Sequence, residues 1–476
     1  MMAFSFVGLL MVFLVVGLLS TRHKSPSTED YLLASRSLGP WTIGLSTMAT
    51  GQSGFKFIGL VGYAYSTGVS SIWLILGWFI GDFIAWTSKV PETFRRKSAQ
   101  EGTLTFPQYL SEAEGKMSHA LAFCVGLIIV VFLSSYAAAQ LASAGKALQS
   151  TLAWSYQTGI YISSILIVLY CFGSGIRASI WTDVAQAIVM LGGMYALAAM
   201  SLSEAGGLTG FIPALRQINP QLTEFFPSST LAFTIMLASL IASGVGVLGQ
   251  PHIMVRSMAL DQATNMALVR RIYLYLGYTM SLGSYIVGLS ARIIFSSETP
   301  ISAEMIMPQL TQLLFHPLLA GVLLAALFAS AISTADSQVL VCSSAFLTRK
   351  NSHSKKHYYI LKGCTCLTVL FTATIALNST SVFTLVVFSW SVLASSLAPL
   401  LVVKTLFQRP PVRICLAMIT LGGSTAILWR LTGLTSIAFE TLPGILAGTV
   451  PCLFWLMIKL PQKTEGGQKS ALVKQH

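Results

Sequence analysis

The chain has 476 residues, of which 54% are hydrophobic and only 9% carry a charged side chain. Soluble globular proteins carry about 25% charged residues, so this composition excludes an ordinary soluble enzyme and a disordered protein. The 29 Lys and Arg exceed the 16 Asp and Glu, which gives a formal net charge of +13. Such an excess indicates either nucleic-acid binding or, in a membrane protein, the loops that face the cytoplasm.

Thirteen apolar stretches are long enough to cross a membrane as helices, for which about 20 residues suffice. These predicted spans, numbered 1 to 13 in chain order, cover 3–20, 41–63, 68–88, 119–145, 157–172, 180–202, 229–250, 273–296, 311–346, 358–378, 381–403, 414–432 and 436–458. The sequence therefore predicts an all-α polytopic membrane protein embedded in a lipid bilayer.

The basic residues are distributed unevenly between the two sides of this arrangement. With the N-terminus outside, 24 of the 29 Lys and Arg fall in inside segments and 4 in outside segments, while Lys56 lies within span 2. Because cytoplasmic loops are rich in Lys and Arg, this predicts an outside N-terminus and an inside C-terminus. The bases are scattered over many loops, which argues against nucleic acid as a partner. We expect one transmembrane domain over 1–460 and a flexible cytoplasmic tail over 461–476.

The motifs of common catalytic and ATP-binding sites do not occur in the sequence. It has no HExxH, GxSxG or dinucleotide-binding fingerprint, and its nearest approach to a P-loop lacks the upstream glycine and the Ser or Thr. We therefore expect no enzyme and no ATP-driven pump. A protein of many spans without an energy-coupling domain is typically a secondary transporter.

Four ionisable residues fall well inside predicted spans, namely Lys56, Asp82, Asp183 and Asp336. Because a charge in the hydrocarbon core costs several kcal/mol, such residues mark functional positions in membrane proteins. The structural alternative for each is an ion pair or a water-facing position near a helix end.

Small and polar residues crowd the centre of span 2, over 44–59, and glycine is a poor helix former. Unwound backbone occurs at membrane depth only where it lines a cavity or is buried in protein, and broken helices that hold ions are typical of transporters. Span 7 has a similar segment over 243–251. Because these segments lie five spans apart, they indicate two matching halves, spans 2–6 and 7–11, in a core of about 41–404. The alternative is close packing through small residues.

A line of hydroxyls follows one face of span 9. Ser330, Ser333, Thr334 and Ser337 are spaced i, i+3, i+4 and i+7, and Asp336 flanks them. Oxygen ligands without a thiol or an imidazole suit Na⁺ better than a transition metal. The alternative is that these hydroxyls only bond back to their own helix.

Several strings of the sequence stand in an order and spacing that resemble a known family. They are Arg36-Ser-Leu-Gly39-Pro40, Leu104-Thr-Phe-Pro107-Gln-Tyr109, Gly173-Ser-Gly175, Trp181-Thr182-Asp183-Val-Ala-Gln186, Gly249-Gln250-Pro251-His252-Ile with Arg256, Phe315-His-Pro317 and Ser333-Thr334. They resemble the sodium:solute symporter family over most of the chain, and within it the bacterial sodium/proline symporters. The resemblance implies thirteen helices, with spans 2–11 forming two inverted five-helix repeats.

The resemblance also implies ion-binding residues. A main sodium site would use the backbone carbonyls of Ala49, Gln52 and Ser330 and the side-chain oxygens of Ser333 and Thr334. A second sodium site, which some members have, would use Asp183, Ser333, Asp336 and Ser337.

The implied substrate site and coupling residues lie mainly on spans 2, 4 and 7. The substrate-binding candidates are Ser53, Gly54, Phe55, Lys56, Tyr136, Ser243 and Gly244. The gating or coupling candidates are Arg36, Gly51 and Pro251.

The pocket of this chain departs from the pattern of proline symporters. Gly51 stands where they carry an aspartate essential for sodium, and Phe55 stands in place of a substrate-site tryptophan. Gln52 takes the place of their methionine, Ser243 and Val247 stand in place of a tryptophan and a tyrosine, and Lys56 and Asp336 introduce charges.

Lys56 leaves four interpretations open. It binds the carboxylate of an anionic solute or of another amino acid; it pairs with Asp336 to replace the missing carboxylate at Gly51; it or Asp336 carries a coupling proton; or it points into a water-filled vestibule.

The expected function is inward Na⁺-coupled uptake of a small solute, proline or a related amino acid, by alternating access in the bacterial cytoplasmic (inner) membrane. An alternative is H⁺-coupled or exchange transport of another amino acid or a small carboxylate. A membrane-embedded solute sensor is the alternative from another class, although family sensors carry large C-terminal signalling domains and only about 16 residues follow Leu460. We expect Na⁺ as the only cofactor and no obligate protein partner.

Overall fold

The computed structural model describes residues 1–20, 27–113, 116–226, 229–295, 302–347, 355–379, 381–407 and 410–472. The last residues of the predicted tail, 473–476, lie outside the described residues. The described chain is almost entirely helical, as the composition predicts.

The α-helices are α1 (Met2–Ser20), α2 (Thr28–Leu33), α3 (Pro40–Gly54), α4 (Val61–Thr67), α5 (Ile72–Thr87), α6 (Val90–Gln100), α7 (Phe106–Ser111), α8 (His119–Ile128), α9 (Ser134–Leu152), α10 (Tyr156–Ser174), α11 (Ile176–Glu204), α12 (Gly207–Ile218), α13 (Thr230–Val245), α14 (Pro251–Ala259), α15 (Met266–Ile294), α16 (Ile306–Leu314), α17 (Pro317–Ser343), α18 (Lys355–Leu377), α19 (Val382–Leu406), α20 (Val412–Leu431) and α21 (Thr441–Leu472).

Shorter elements connect and interrupt these helices. Turns of π-helix span Phe55–Leu60 and Ile129–Leu133. Turns of 3₁₀-helix span Ala34–Arg36, Gly68–Ser71, Pro220–Thr223, Gly246–Gly249, Ala263–Asn265, Ala303–Met305 and Leu434–Ser436. The strands β1 (Glu112–Ala113) and β2 (Lys116–Met117) form an antiparallel pair.

Every predicted span overlaps a helix of the structure. Eleven stretches of the described residues are long and apolar enough to cross a membrane, and a shorter apolar helix covers Tyr156–Leu169. One of the eleven, Pro40–Thr87, has 48 residues, or about 72 Å of helix, more than twice the roughly 30 Å of a hydrocarbon core. The chain turns at Gly68, where φ is +80°, so this stretch contains predicted spans 2 and 3. The number of crossings and the sides of the termini stay predictions.

Two boundaries differ from the sequence-based expectation. Predicted span 9 is two helices, because Pro317 starts α17 and the His316 side chain accepts the amide hydrogen bond of Leu318, capping the new helix. The predicted tail boundary at 460 falls inside α21, which runs to Leu472. The flexibility of the tail stays a prediction.

The packing of the helices follows the two predicted halves. α5 packs on α13 as α15 packs on α3, and α9 contacts α18 and α19 as α17 contacts α10 and α11. When each helix is replaced by the corresponding helix of the other half, each of these contacts becomes another contact of the same set. This is expected for two repeats of one five-helix unit. α17 and α19 are buried along most of their length, whereas α1, α20 and α21 present apolar outer faces.

Helices α5 and α13 approach so closely at Gly81 that even a methyl group does not fit there. A Cβ atom added at Gly81 would lie 2.1 Å from the carbonyl oxygen of Ile241 and 2.7 Å from Cα of Gly244. We expect Gly81→Ala to lower the free energy of unfolding by about 1–3 kcal/mol. The measurement is the thermal-unfolding midpoint in detergent, which should fall. Gly192→Ala is the matched control, since no heavy atom lies within 4 Å of its added Cβ and alanine favours a helix. Equal midpoints for the two variants would contradict the close approach.

Candidate functional site

Helix α3 is broken near its C-terminal end. Ser53 has φ +45° and ψ 176°, a left-handed backbone conformation that is uncommon for a residue other than glycine. The Gly54 amide donates to Oε1 of Gln140 on α9 (3.0 Å), and the Phe55 amide donates to Oγ of Ser53 (3.2 Å). A Cβ at Gly54 would lie 2.8 Å from Cβ of Ser143. The predicted break of this helix is therefore confirmed, and α9 supports it.

A cavity lies beside this break, between α3, α5, α9, α13, α15 and α19. Its free volume is about 20 Å³, roughly the space for one water molecule. The residues that line it are Gly51, Gln52, Phe55, Lys56, Trp78, Asp82, Tyr136, Gly244, Tyr273, Tyr278, Val386 and Trp390.

Two buried charged side chains, Lys56 and Asp82, face this cavity, and they are 6% and 5% exposed. The Lys56 ammonium lies 5.1 Å from the ring centroid of Trp78 and 5.8 Å from that of Phe55, within the range of cation–π attraction. Oδ2 of Asp82 accepts hydrogen bonds from two tyrosine hydroxyls of α15, Tyr273 (3.0 Å) and Tyr278 (2.5 Å). Its other oxygen, Oδ1, has no hydrogen-bond partner among the described residues.

Aromatic rings form one wall of the cavity. Trp78 stacks on Trp390 (centroids 5.8 Å apart, planes at 11°) and on Phe55 (5.8 Å, 23°). The Trp390 indole donates to the carbonyl of Ser243 (2.8 Å), which fixes its ring on α13. The wall is therefore a stack of three aromatic rings beside the two charges.

The hydroxyl face of α17 meets α3 just before the break. Thr334 Oγ1 lies 3.3 Å from the carbonyl of Thr50 on α3 and 3.0 Å from the carbonyl of Ser330 on its own helix. Ser333 and Ser337 donate to their own helix. Each of the four hydroxyls therefore bonds back to its own helix, and Thr334 also reaches α3. The role of this face in binding Na⁺ stays a prediction. The oxygen lone pairs at this contact suit a hard cation.

A second polar cluster joins α3, α11, α14 and α17, and an arginine lies at its centre. Arg256 is 1% exposed and forms an ion pair with Oδ2 of Asp183 (2.8 Å). It also donates to Ser46 (2.7 Å) and Ser337 (2.7 Å). Asp336 lies at the edge of this cluster, where its Oδ1 accepts from Ser337 (3.0 Å) and from Ser179 of α11 (3.0 Å).

Comparison with known proteins gives this architecture a family. The sequence model of the sodium:solute symporter family matches residues 31–413. The chain belongs to this family. The high-affinity proline transporter PutP of Bacillus subtilis (strain 168) is 29% identical over 451 residues, covering 93% of this chain and 94% of that protein. The sodium/proline symporter of Escherichia coli (strain K12) is 27% identical over 463 residues, covering 94% and 91%.

Solved structures show the same fold as this sodium:solute symporter family member. A substrate-bound, outward-open Na⁺-coupled sialic acid symporter superposes with a TM-score of 0.77 at 18% identity, covering 94% of this chain and 97% of that chain. A nucleobase-cation-symport-1 family transporter in a closed conformation gives a TM-score of 0.60 at 12% identity, covering 92% and 96%. The predicted all-α polytopic membrane fold is confirmed, and the chain is an integral membrane protein.

The structure brings most of the predicted sodium ligands of this family member together. Ala49 and Gln52 flank Thr50, whose carbonyl meets Thr334, and Ser330 and Ser333 lie on the same buried face of α17. Their role as Na⁺ ligands stays a prediction. Of the residues predicted for a second site, Asp183 and Ser337 both contact Arg256 and Asp336 accepts from Ser337. Their role as Na⁺ ligands also stays a prediction.

The predicted substrate residues divide into three groups. Those that line the cavity are Phe55, Lys56, Tyr136 and Gly244, together with the predicted coupling residue Gly51. Ser53 and Gly54 instead form the break. Ser243 turns its hydroxyl to Thr441 of α21 (3.0 Å), away from the cavity. The open alternative of a Lys56–Asp336 pair is wrong, because Asp336 contacts Ser179 and Ser337 while Lys56 faces Asp82 across the cavity.

The two remaining coupling candidates lie at connections between elements. Arg36, just before α3, pairs with Glu29 (3.1 Å) and donates to the carbonyls of Met258 (3.2 Å) and Thr103 (2.6 Å). Pro251 is the first residue of α14 and follows an extended Gln250 (φ −95°, ψ 100°), so it resumes a helix that the preceding glycines end. Their coupling roles stay predictions.

Sequence reasoning missed Arg256 and the aromatic wall as parts of the site. Arg256 stands six residues beyond predicted span 7, so the predicted topology counts it among the basic residues of the inside segments, whereas the structure buries it on α14. Trp78 carried a usable signal, because it precedes Asp82 by four residues and so shares its helix face. No local signal in the sequence pointed to Trp390, Tyr273 or Tyr278.

Proposed function

We propose that this protein is a secondary active transporter that couples inward Na⁺ movement to the uptake of a small solute, proline or a related amino acid. Family membership and relatives named as proline transporters support the substrate class. The observation that carries the coupling is the contact of the hydroxyl face of α17 with α3 at its break, through Thr334 and Thr50. Na⁺ would bind between these helices with no covalent chemistry and no enzymatic step.

Transport proceeds by alternating access in the cytoplasmic (inner) membrane of a bacterium. Na⁺ drives the cycle through its different affinities for the outward- and inward-facing states, and its coupling to the solute is reciprocal. The cavity beside the break has room for about one water molecule, so α3, α5, α13 and α19 must separate to admit an amino acid. Such opening and closing of walls is what alternating access requires. No obligate protein partner is needed for this cycle.

The test is uptake into liposomes that contain the purified protein. We expect an inward Na⁺ gradient to raise the initial uptake of labelled L-proline at least about tenfold over an equal K⁺ gradient, and an ionophore that collapses the Na⁺ gradient to abolish the increase. If L-proline is inactive, counterflow with the other proteinogenic amino acids and small carboxylates identifies the solute. Uptake that is equal with and without Na⁺ refutes Na⁺ coupling. Uptake driven by a pH gradient at negligible Na⁺ establishes the H⁺-coupled alternative, which Gly51, Lys56 and Asp336 motivate.

A further inference from the structure

Two opposite charges share the cavity without pairing with each other. Among the described residues, the Lys56 ammonium has no ion-pair or hydrogen-bond partner, and it lies near the rings of Trp78 and Phe55. Oδ1 of Asp82 is buried and has no hydrogen-bond partner among those residues either. The cavity therefore offers one unfilled cation and one unfilled hydrogen-bond acceptor.

The hydrogen bonds around Asp82 leave one oxygen for a ligand. Both tyrosine hydroxyls, from Tyr273 and Tyr278, donate to Oδ2. They hold the carboxylate in place and leave Oδ1 without a hydrogen-bond partner among the described residues, on a side chain that lines the cavity. A ligand with an N–H donor can satisfy Oδ1 without breaking either tyrosine contact. These tyrosines are positioning residues, because they act on a ligand through Asp82.

The charge of a suitable ligand follows from the cost of leaving either group unpaired. A buried charge or polar group without a partner is unfavourable. An anionic solute would pair with Lys56 and leave Asp82 unsatisfied, while a cationic solute would do the reverse. Only a solute that carries both a carboxylate and an ammonium group satisfies both. Its apolar part then lies against the stacked rings of Trp78 and Trp390.

We propose that Lys56 and Asp82 bind the carboxylate and the ammonium group of a zwitterionic amino acid in this cavity. This inference rests on the proposed function and deepens it by assigning the two charged residues that select the substrate. It also gives the lysine at position 56 a role, since its charge anchors the substrate beside the stacked rings.

Ligand analogues test the proposal on the wild-type protein first. Thermal stabilisation in detergent is measured with L-proline, with L-prolinamide, which lacks the carboxylate, and with N-acetyl-L-proline, which lacks the basic nitrogen. If another amino acid is the better ligand, its amide and its N-acetyl form are used instead. We expect both derivatives to bind about 10- to 100-fold more weakly than the zwitterion, since each loses one charge-assisted hydrogen bond. Equal binding of all three compounds overturns the proposal.

Single substitutions then assign each charge to its residue. Lys56→Met should weaken the binding of L-proline about 10- to 100-fold and leave the binding of L-prolinamide unchanged, because only the carboxylate has lost its partner. Asp82→Asn should weaken the binding of L-proline and leave the binding of N-acetyl-L-proline unchanged, because only the ammonium group has lost its partner. A purely structural role would weaken all ligands by the same factor, and that result overturns the proposal. Lys56→Arg keeps the charge and should retain the selectivity against L-prolinamide.

Two further measurements separate this proposal from the proposed function. Stabilisation by Na⁺ alone reports whether each variant is folded and binds its ion, and the exposed Lys116→Met is the matched control for loss of a lysine. Zwitterion selectivity without any effect of Na⁺ supports this proposal and refutes Na⁺ coupling. Na⁺-driven uptake of a small carboxylate that has no ammonium group supports Na⁺ coupling and refutes the binding of a zwitterion by Lys56 and Asp82.

Discussion

Replacing Arg256 by methionine is expected to lower the stability by about 3–5 kcal/mol, the usual cost of removing one partner of a buried ion pair. Arg256 is buried and contacts Asp183, Ser46 and Ser337 from three different helices. Its loss leaves the Asp183 carboxylate, which is 0% exposed, without a cation. The measurement is the thermal-unfolding midpoint of the purified protein in detergent, with the yield of folded protein as a second readout.

The double variant Arg256→Met/Asp183→Asn is the internal control for this prediction. With the carboxylate replaced by a neutral amide, no uncompensated charge stays buried, and we expect most of the lost stability to return. Arg216→Met, at an exposed position of α12, should change the midpoint little. If Arg256→Met unfolds at the wild-type temperature, or the double variant is no more stable than the single one, the ion pair does not hold these helices together.

Arg256 also shows where hydropathy fails as a guide to structure. The apolar run of span 7 ends near residue 250, and an arginine beyond such a run normally marks a cytoplasmic loop. In the structure the chain resumes as α14 and stays inside the protein, because Asp183 of α11 supplies the opposite charge. That partner lies 73 residues away in the sequence. Local composition cannot report a pairing that only the tertiary fold creates.

The break in α3 could be predicted from the sequence, because its cause is local. Glycines and small polar residues weaken a helix wherever they occur, and the structure places the break at Ser53 within that segment. The hydroxyl face of α17 was accessible for the same reason, since its spacing alone defines a face. The family resemblance then supplied which two helices meet.

The sequence could not show in which direction individual side chains point. Ser243 belongs to the glycine-interrupted segment of α13, and nothing in its neighbours shows that its hydroxyl turns to Thr441 of α21. Lys56 had four open interpretations because the sequence does not show which group faces it. The structure places Asp82 and the ring of Trp78 there.

Removing the hydroxyl of Thr334 is expected to raise about 10- to 100-fold the Na⁺ concentration that gives half-maximal L-proline uptake or half-maximal thermal stabilisation. Thr334→Val keeps the shape of the side chain and removes one oxygen ligand, and interactions of this kind with a charged group contribute about 1.5–3 kcal/mol. The site depends on geometry that the break provides. Gly54 turns its amide to Gln140, and the carbonyl of Thr50, four residues earlier, lies 3.3 Å from the Thr334 oxygen.

The measurement is the Na⁺ dependence of L-proline uptake, or of thermal stabilisation by Na⁺ alone, for Thr334→Val, Thr334→Ser and Thr420→Val. Thr334→Ser retains the hydroxyl and should keep an affinity near that of the wild type, which separates ion binding from general damage to the contact with α3. Thr420 is exposed on α20 and bonds only to its own helix among the described residues, so its valine variant should behave as the wild type. Unchanged Na⁺ dependence in Thr334→Val would mean that the contact between α17 and α3 serves only to hold the two helices together, and the ion would then have to bind elsewhere.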